Sequence, residues 1–206
     1  MSGPPESAPA RTQNRGSFLR EVPVLIVIAF ALAMLIKTLL VQAFYIPSES
    51  MEPTLFPGDR VIVLRPGGFD RQDVVVFENP NLPDEDHGWL SRLVDWVSDG
   101  LGFAGAQDEH LIKRVIGMPG DTIEISRNHV AVNGRDLREP YLTDEARACN
   151  ADYPETEVPA DRLWVLGDNR CHSGDSRFGL GFVPVDRVVG RAVLLVWPPS
   201  RIGGIG

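Results

Sequence analysis

The chain has 206 residues, of which 43% are hydrophobic and 23% charged, a composition typical of a globular protein rather than a disordered one. Its formal net charge of -8 at pH 7 argues against the broad basic surface that nucleic-acid binding requires. Two cysteines, Cys149 and Cys171, are too few and too far apart for a zinc ribbon or a CxxC redox site. We therefore expect no metal, no cofactor and no nucleic-acid partner.

The N-terminal part of the sequence predicts a tail followed by a membrane anchor. Residues 1–21 are rich in Ser, Pro, Gly and Ala and carry three arginines, which is typical of a disordered cytoplasmic tail. Residues 22–46 form a largely apolar run with a single charge, Lys37, whose amine can reach the far interface. A helix of this length is about 37 Å long and can cross about 30 Å of hydrocarbon. We predict a single transmembrane helix, with a buried core helix as the alternative, and residues 47–206 outside the cytoplasm.

The remainder of the sequence reads mostly as short strands and turns. Its β-branched runs are punctuated by Pro-Gly, Asn-Gly and Gly-Asp, and Asn133-Gly134 predicts a two-residue hairpin turn. The fold class predicted is mainly β: an antiparallel catalytic domain over residues 47–206, behind one N-terminal transmembrane helix. The predicted strands are Asp59–Leu64, Asp73–Phe77, Lys113–Gly117, Thr122–Ser126, His129–Val132, Arg162–Leu166 and Arg187–Trp197.

An insert at about residues 80–110 breaks the strand pattern. Within it, Trp89–Phe103 places its apolar residues near helical spacing, with charged residues between them. This pattern predicts a short amphipathic helix. The helix would either lie on the outer leaflet, as its tryptophans favour, or pack on its own domain.

Three short blocks contain the residues suited to chemistry. The first, IPSESMEPTL at 46–55, begins where the apolar run ends and holds two serines between prolines. The second, IKRVIGMPGD at 112–121, has one lysine in an apolar strand, and the third, GDNRCHSGDSR at 167–177, is a polar turn. Each block alone is typical of an ordinary loop, strand or turn. Only their order and their distance from an apolar segment make them informative.

Together the blocks resemble those of the bacterial type I signal peptidases, or leader peptidases, a Ser–Lys protease family. The resemblance covers about residues 22–196. It implies that Ser50, before Met51, is the nucleophile and that Lys113, before Arg114, is the general base. Ser48 would then assist the oxyanion hole and Ser173 would steady the lysine, with Asp175 and Arg177 as a structural pair near the site. Cys171-His172 departs from the family pattern at positions that the resemblance does not make catalytic.

The chemistry of these residue types agrees with those roles. A lysine is a base only when neutral, and about one lysine in 2,500 is neutral at pH 7 when its pKa is about 10.4. Burial in an apolar strand lowers that pKa. The resemblance implies a membrane-bound serine endopeptidase that removes N-terminal signal peptides at Ala-x-Ala sites of exported preproteins. Its partners would be those preproteins and the lipid bilayer.

Alternatives stay open at this point. A disulfide between Cys149 and Cys171 would close a loop of about 22 residues and stabilise the fold by about 3 kcal/mol, but two independent small core residues fit equally well. His172 suggests a histidine-based hydrolase, yet adjacent residues of an extended segment point to opposite faces, so we do not expect Cys171 to face it. A self-cleaving repressor would need a DNA-binding head, which residues 1–21 cannot supply. A catalytically dead β scaffold is disfavoured by the intact Ser50 and Lys113.

Overall fold

The computed structural model describes residues 22–30, 40–65, 67–82 and 110–205. The chain divides into two compact units, Met1–Thr38 and Leu39–Gly206. In the first unit, residues 22–30 are helical. No helix within the described ranges is long and apolar enough to cross a membrane. The predicted tail at 1–21 and the amphipathic segment at 89–103 lie outside the described residues.

The predicted end of the anchor helix at Ile46 is wrong. Val41–Tyr45 forms a strand whose residues pair with Arg60–Leu64. Two of its side chains, Gln42 and Phe44, point into the protein, where Gln42 accepts hydrogen bonds from Arg65. Pairing with Arg60–Leu64 and packing in the core therefore determine the conformation of this segment, although its apolar sequence predicted a continuous helix.

The second unit is mainly antiparallel β structure, as the sequence predicts. Two sheets account for all twelve strands of the described residues. In chain order the strands are β1 (Val41–Tyr45), β2 (Arg60–Leu64), β3 (Val74–Glu78), β4 (His110–Gly117), β5 (Thr122–Ser126), β6 (His129–Val132), β7 (Arg135–Asp136), β8 (Tyr153–Glu157), β9 (Arg162–Leu166), β10 (Val183–Pro184), β11 (Val188–Trp197) and β12 (Gly203–Gly204).

The larger sheet has eight strands in the order β1-β2-β11-β3-β4-β9-β10, with β12 paired to β11. Its strands are rich in Val, Ile and Leu, which suit a pleated surface that is buried on one or both faces. Strand β3 is buried over its first four residues, and β4 is buried from Ile112 to Gly117. Strand β4 therefore runs through the interior of the sheet, between β3 and β9.

The smaller sheet has the order β7-β6-β5-β8. The predicted hairpin is confirmed: β6 and β7 pair across Asn133-Gly134, where both residues have positive φ values of 52° and 71°. Positive φ at both central positions is the geometry that an Asn-Gly turn accommodates. The apolar face of this sheet packs around the buried Trp164.

Among the described residues of the second unit, four short helices lie in the connections between strands. The α-helix Asp144–Ala148 begins after Thr143, whose side chain accepts a hydrogen bond from the Ala146 N–H. The three 3₁₀ helices are Glu49–Met51, Val185–Arg187 and Pro199–Arg201. The first of these follows β1 and precedes β2, so the larger sheet fixes both of its ends.

Candidate active site

The serine block forms a tight turn against the core. Ser50 lies in the 3₁₀ helix Glu49–Met51, which the Glu52 N–H closes by donating to the Glu49 carbonyl oxygen at 3.0 Å. Met51, which the resemblance places beside the nucleophile, is fully buried in the same core cluster as Leu55. The buried methionine anchors the turn, and Ser50 itself is 7% exposed.

Strand β4 carries Lys113 to this turn. Lys113 Nζ donates hydrogen bonds to Ser50 Oγ at 2.6 Å and to the Ile112 carbonyl oxygen at 3.0 Å. The lysine is 3% exposed, so water has little access to the amine. The structure thus brings together the two residues that sequence reasoning named as nucleophile and base.

The surroundings of Lys113 lower the pKa of its amine. Burial lowers the pKa of the amine from 10.5 to about 8, and the nearby Asp175 and Asp168 carboxylates act in the opposite direction. Each of these carboxylates has its own arginine partner in the site, described below. Burial prevails over the two carboxylates, and the amine is neutral far more often at pH 7 than that of an exposed lysine.

The two supporting serines occupy different environments. Ser48 precedes the turn, is exposed, and places its Oγ 3.3 Å from Ser50 Oγ. Ser173 is buried in the loop of residues 167–177, which follows β9. Within the described part of the chain its Oγ has no hydrogen-bond partner. It packs against Gly167, where a Cβ would collide with both the Ser173 side chain and the Ser50 carbonyl oxygen. The structure does not record the bond from Ser173 to Lys113 that the resemblance implies.

A buried ion pair joins Arg114 to Asp168. Arg114 Nε and Nη2 donate to the two carboxylate oxygens at 2.9 and 2.7 Å, and Nη1 donates to the Gln72 carbonyl oxygen at 2.6 Å. The guanidinium carbon lies 3.8 Å from the centre of the Tyr141 ring. Because Arg114 follows Lys113 along β4, this pair fixes the strand on the face opposite the amine.

A second buried pair joins Arg177 to Asp175. Arg177 Nε and Nη2 donate to the two carboxylate oxygens, each at 2.9 Å. Asp175 Oδ2 also accepts from the Gly167 N–H at 3.2 Å, so the pair closes the loop from residue 167 to residue 177 on itself. The expected structural pair is therefore present, next to the lysine.

Sequence reasoning missed several residues that shape the site. Arg170 forms a buried ion pair with Glu139, and its Nη1 also donates to Asn150 Oδ1 at 2.7 Å. Asn169 donates from its backbone N–H to the Ser50 carbonyl oxygen and from Nδ2 to the Glu49 carbonyl oxygen, both at 3.1 Å. Asp168, Asn169 and Arg170 belong to the GDNR stretch, which could have indicated them, whereas nothing in the sequence singled out Glu139.

The structure joins Cys149 and Cys171 in a disulfide. Cys149 ends the short helix Asp144–Ala148, and Cys171 lies in the loop that carries Ser173.

Within the described ranges there is no group of three or more His, Cys, Asp or Glu side chains that could hold a metal ion.

A serine hydroxyl held against a buried, pKa-lowered amine is the kind of site expected of a Ser–Lys hydrolase. Comparison with known proteins identifies the family. The family model described as "Signal peptidase, peptidase S26" matches residues 19–197. This chain belongs to the signal peptidase family S26 and is a serine peptidase.

The relatives extend over most of the chain. A "Signal peptidase I" from Mycobacterium tuberculosis is 39% identical, covering 91% of this chain and 75% of its own length. One from Leptolyngbya laminosa is 38% identical over 98% of this chain and 92% of its own. A crystal structure of a signal peptidase I from Enterococcus faecalis aligns with a TM-score of 0.42 and 27% identity, covering 61% of this chain and 97% of that one.

Proposed function

We propose that this protein is a membrane-bound endopeptidase that removes N-terminal signal peptides from exported preproteins, through an acyl-enzyme on Ser50 with Lys113 as general base. The observation that supports it best is the 2.6 Å contact between Lys113 Nζ and Ser50 Oγ in a buried position. The names of the relatives support the substrate class.

The first step is activation of the serine. With a pKa of about 8, about one Lys113 amine in ten is neutral at pH 7, compared with about one in 2,500 for an ordinary lysine. The neutral amine accepts the hydroxyl proton as Ser50 Oγ attacks the scissile carbonyl carbon. The resulting ammonium then donates that proton to the leaving amine, which releases the mature protein and leaves the signal peptide as an ester on Ser50.

The negative charge that develops on the substrate oxygen needs hydrogen-bond donors. The Ser50 backbone N–H and the Ser48 hydroxyl are the candidates, since the two serine Oγ atoms lie 3.3 Å apart. One such donor contributes about 3 kcal/mol to transition-state stabilisation. Deacylation follows by the same route, with Lys113 taking a proton from the attacking water.

The ion pairs around the site have an electrostatic role in this mechanism. Asp168 and Asp175 both raise the pKa of Lys113, which would keep the amine protonated. Arg114 and Arg177 each donate two hydrogen bonds to one of these carboxylates and so balance its charge. The lysine then responds mainly to burial.

The membrane location rests on the N-terminal segment. In the helical residues 22–30, Val24 to Ile28 and Phe30 are between 57% and 68% exposed, which suits side chains that face lipid. We infer a single-pass anchor with the N-terminus in the cytoplasm and the catalytic residues on the other side. Substrates with Ala-x-Ala sites would reach the enzyme in the same bilayer, which raises their effective concentration.

The test uses the purified full-length protein in detergent with a preprotein that carries an Ala-x-Ala site. The parent should release the mature protein, whereas Ser50→Ala and Lys113→Met should reduce cleavage by at least about 10³-fold. Ser126→Ala, at an exposed position at the end of β5, is the matched control and should cleave at the parental rate. Parental cleavage by either site variant would refute the mechanism.

A further inference from the structure

We propose that the Cys149–Cys171 disulfide is a positioning device for catalysis: it fixes the loop of residues 167–177, and through that loop the turn that carries Ser50. The inference rests on the proposed function, because the reaction is the one in which Ser50 and Lys113 take part. It assigns a role to a covalent bond that touches neither of these residues.

The loop holds the nucleophile directly. Asn169 donates its backbone N–H to the Ser50 carbonyl oxygen and its side-chain amide to the Glu49 carbonyl oxygen, both at 3.1 Å. Two residues earlier, Gly167 passes so close to the Ser50 carbonyl oxygen that a Cβ would not fit. A displacement of the loop therefore displaces the serine turn relative to Lys113.

The other side of the loop is attached to a two-residue segment, Cys149-Asn150. Arg177 Nη1 donates to the Cys149 carbonyl oxygen at 3.3 Å, and Arg170 Nη1 donates to Asn150 Oδ1 at 2.7 Å. Asn150 Nδ2 in turn donates to the Asn128 carbonyl oxygen at 2.9 Å, between β5 and β6. The disulfide adds a covalent attachment between the same segment and Cys171.

The disulfide attaches the part of the loop that the hydrogen bonds of Arg170 and Arg177 do not hold. Arg170 and Arg177 secure the loop on either side of its middle part, residues 171–174. Among the described hydrogen bonds, the only backbone bond within that part is from the His172 N–H to the Asn169 carbonyl oxygen at 3.0 Å, and it stays inside the loop. Ser173, whose Oγ has no hydrogen-bond partner among the residues that the structure describes, lies in this same stretch.

Loss of the disulfide should thus loosen residues 171–174 while the two arginine attachments preserve the fold. Ser173 in this stretch packs against Gly167, which in turn lies against the Ser50 carbonyl oxygen. Loosening the stretch therefore removes packing behind the Ser50 turn and admits water beside Lys113. Both effects act on the chemical step rather than on the fold as a whole. The expected signature is a lower kcat with little change in KM, and a shift of the acid limb of the pH profile to higher pH, since an amine exposed to water regains its ordinary pKa.

The experiment compares the full-length parent with the double variant Cys149→Ala/Cys171→Ala, each with and without a phosphine reductant. The chain has no other cysteine, so the variant is the control for effects of the reductant elsewhere. Cys171 is exposed, which gives the reductant access. Cleavage of an Ala-x-Ala preprotein gives kcat, KM and the pH profile, and amide hydrogen exchange gives the order of residues 167–177 independently of activity.

We expect reduction of the parent to lower kcat about tenfold, to move the acid limb up by about half a pH unit or more, and to speed exchange in the loop. The double variant should have the kcat, pH profile and exchange rates of the reduced parent, and the reductant should not change them. An unchanged pH limb with a uniform loss of active enzyme would indicate a merely structural bond and overturn the proposal. So would an unchanged kcat.

The proposal and the proposed function fail in different ways. An oxidised parent that does not cleave the preprotein refutes the function, and hydrogen exchange then decides whether the disulfide orders the loop. An active parent whose kinetics and exchange are insensitive to reduction refutes the disulfide role alone.

Discussion

Replacing Lys113 by methionine should change how the stability of the protein depends on pH. Methionine has a similar length and no charge, so it fills the space without a buried amine. Folding lowers the pKa of Lys113 from 10.5 to about 8. Below pH 8 the amine is protonated in both the folded and the unfolded state, and the folded state carries the full penalty of the buried charge.

Between pH 8 and 10.5 the folded protein releases this proton while the unfolded chain keeps it. The unfolded state then binds more protons, so the free energy of unfolding rises with pH in this window. At about 1.4 kcal/mol per pKa unit, the whole shift corresponds to about 3 kcal/mol, most of which appears between pH 7 and pH 10.

The assay is urea unfolding of the full-length parent and Lys113→Met in a mild detergent at pH 7 and pH 10, followed by tryptophan fluorescence. Other groups also titrate in this range, but they are common to both proteins and cancel in the difference. Between pH 7 and pH 10 the parent should gain about 2 to 3 kcal/mol in stability relative to the variant. A difference that stays constant across this range would refute the inference that folding depresses the pKa of the lysine.

Three further predictions follow from the site. Ser48→Ala should lower kcat about 10²-fold with little change in KM in a preprotein cleavage assay, as expected for a lost oxyanion donor; an equal rise in KM would contradict that role. Gly167→Ala should abolish cleavage, because its Cβ would collide with the carbonyl oxygen of Ser50, whereas Gly174→Ala, with open space around its Cβ, should cleave like the parent. Arg177→Met leaves a buried carboxylate unpaired and should lower the unfolding free energy by about 3 to 5 kcal/mol in urea, while Arg162→Met, at a surface pair, should lower it by less than about 1 kcal/mol; equal losses would contradict this assignment.

The strands could be predicted where local signals agreed with the tertiary structure. Thr122–Ser126, His129–Val132 and Arg162–Leu166 have the boundaries expected from their β-branched runs. The hairpin at Asn133-Gly134 could also be predicted from the sequence, because few other residue pairs tolerate positive φ at both positions. Strand β1 could not be predicted from the sequence, because these residues continue an apolar run and form a strand only through pairing with β2.

Only the residues that lie within short motifs of the site could be predicted from the sequence. Ser50 and Lys113 lie 63 residues apart, and their meeting follows from the antiparallel packing of the sheet rather than from any local pattern. The resemblance to a known family supplied that long-range information. Glu139 was missed because a lone carboxylate in a loop looks solvated, and only the fold reveals that it is buried against Arg170.

The most direct measurement of the central claim is an NMR titration of the Lys113 side-chain amine in the full-length protein. The chain has only two lysines, Lys37 and Lys113, so the signal that disappears in Lys113→Met identifies the amine without ambiguity. We predict a midpoint of about 8. A midpoint near 10.5, the ordinary value, would leave about 300-fold less neutral amine at pH 7 and would contradict the assignment of Lys113 as the base for Ser50.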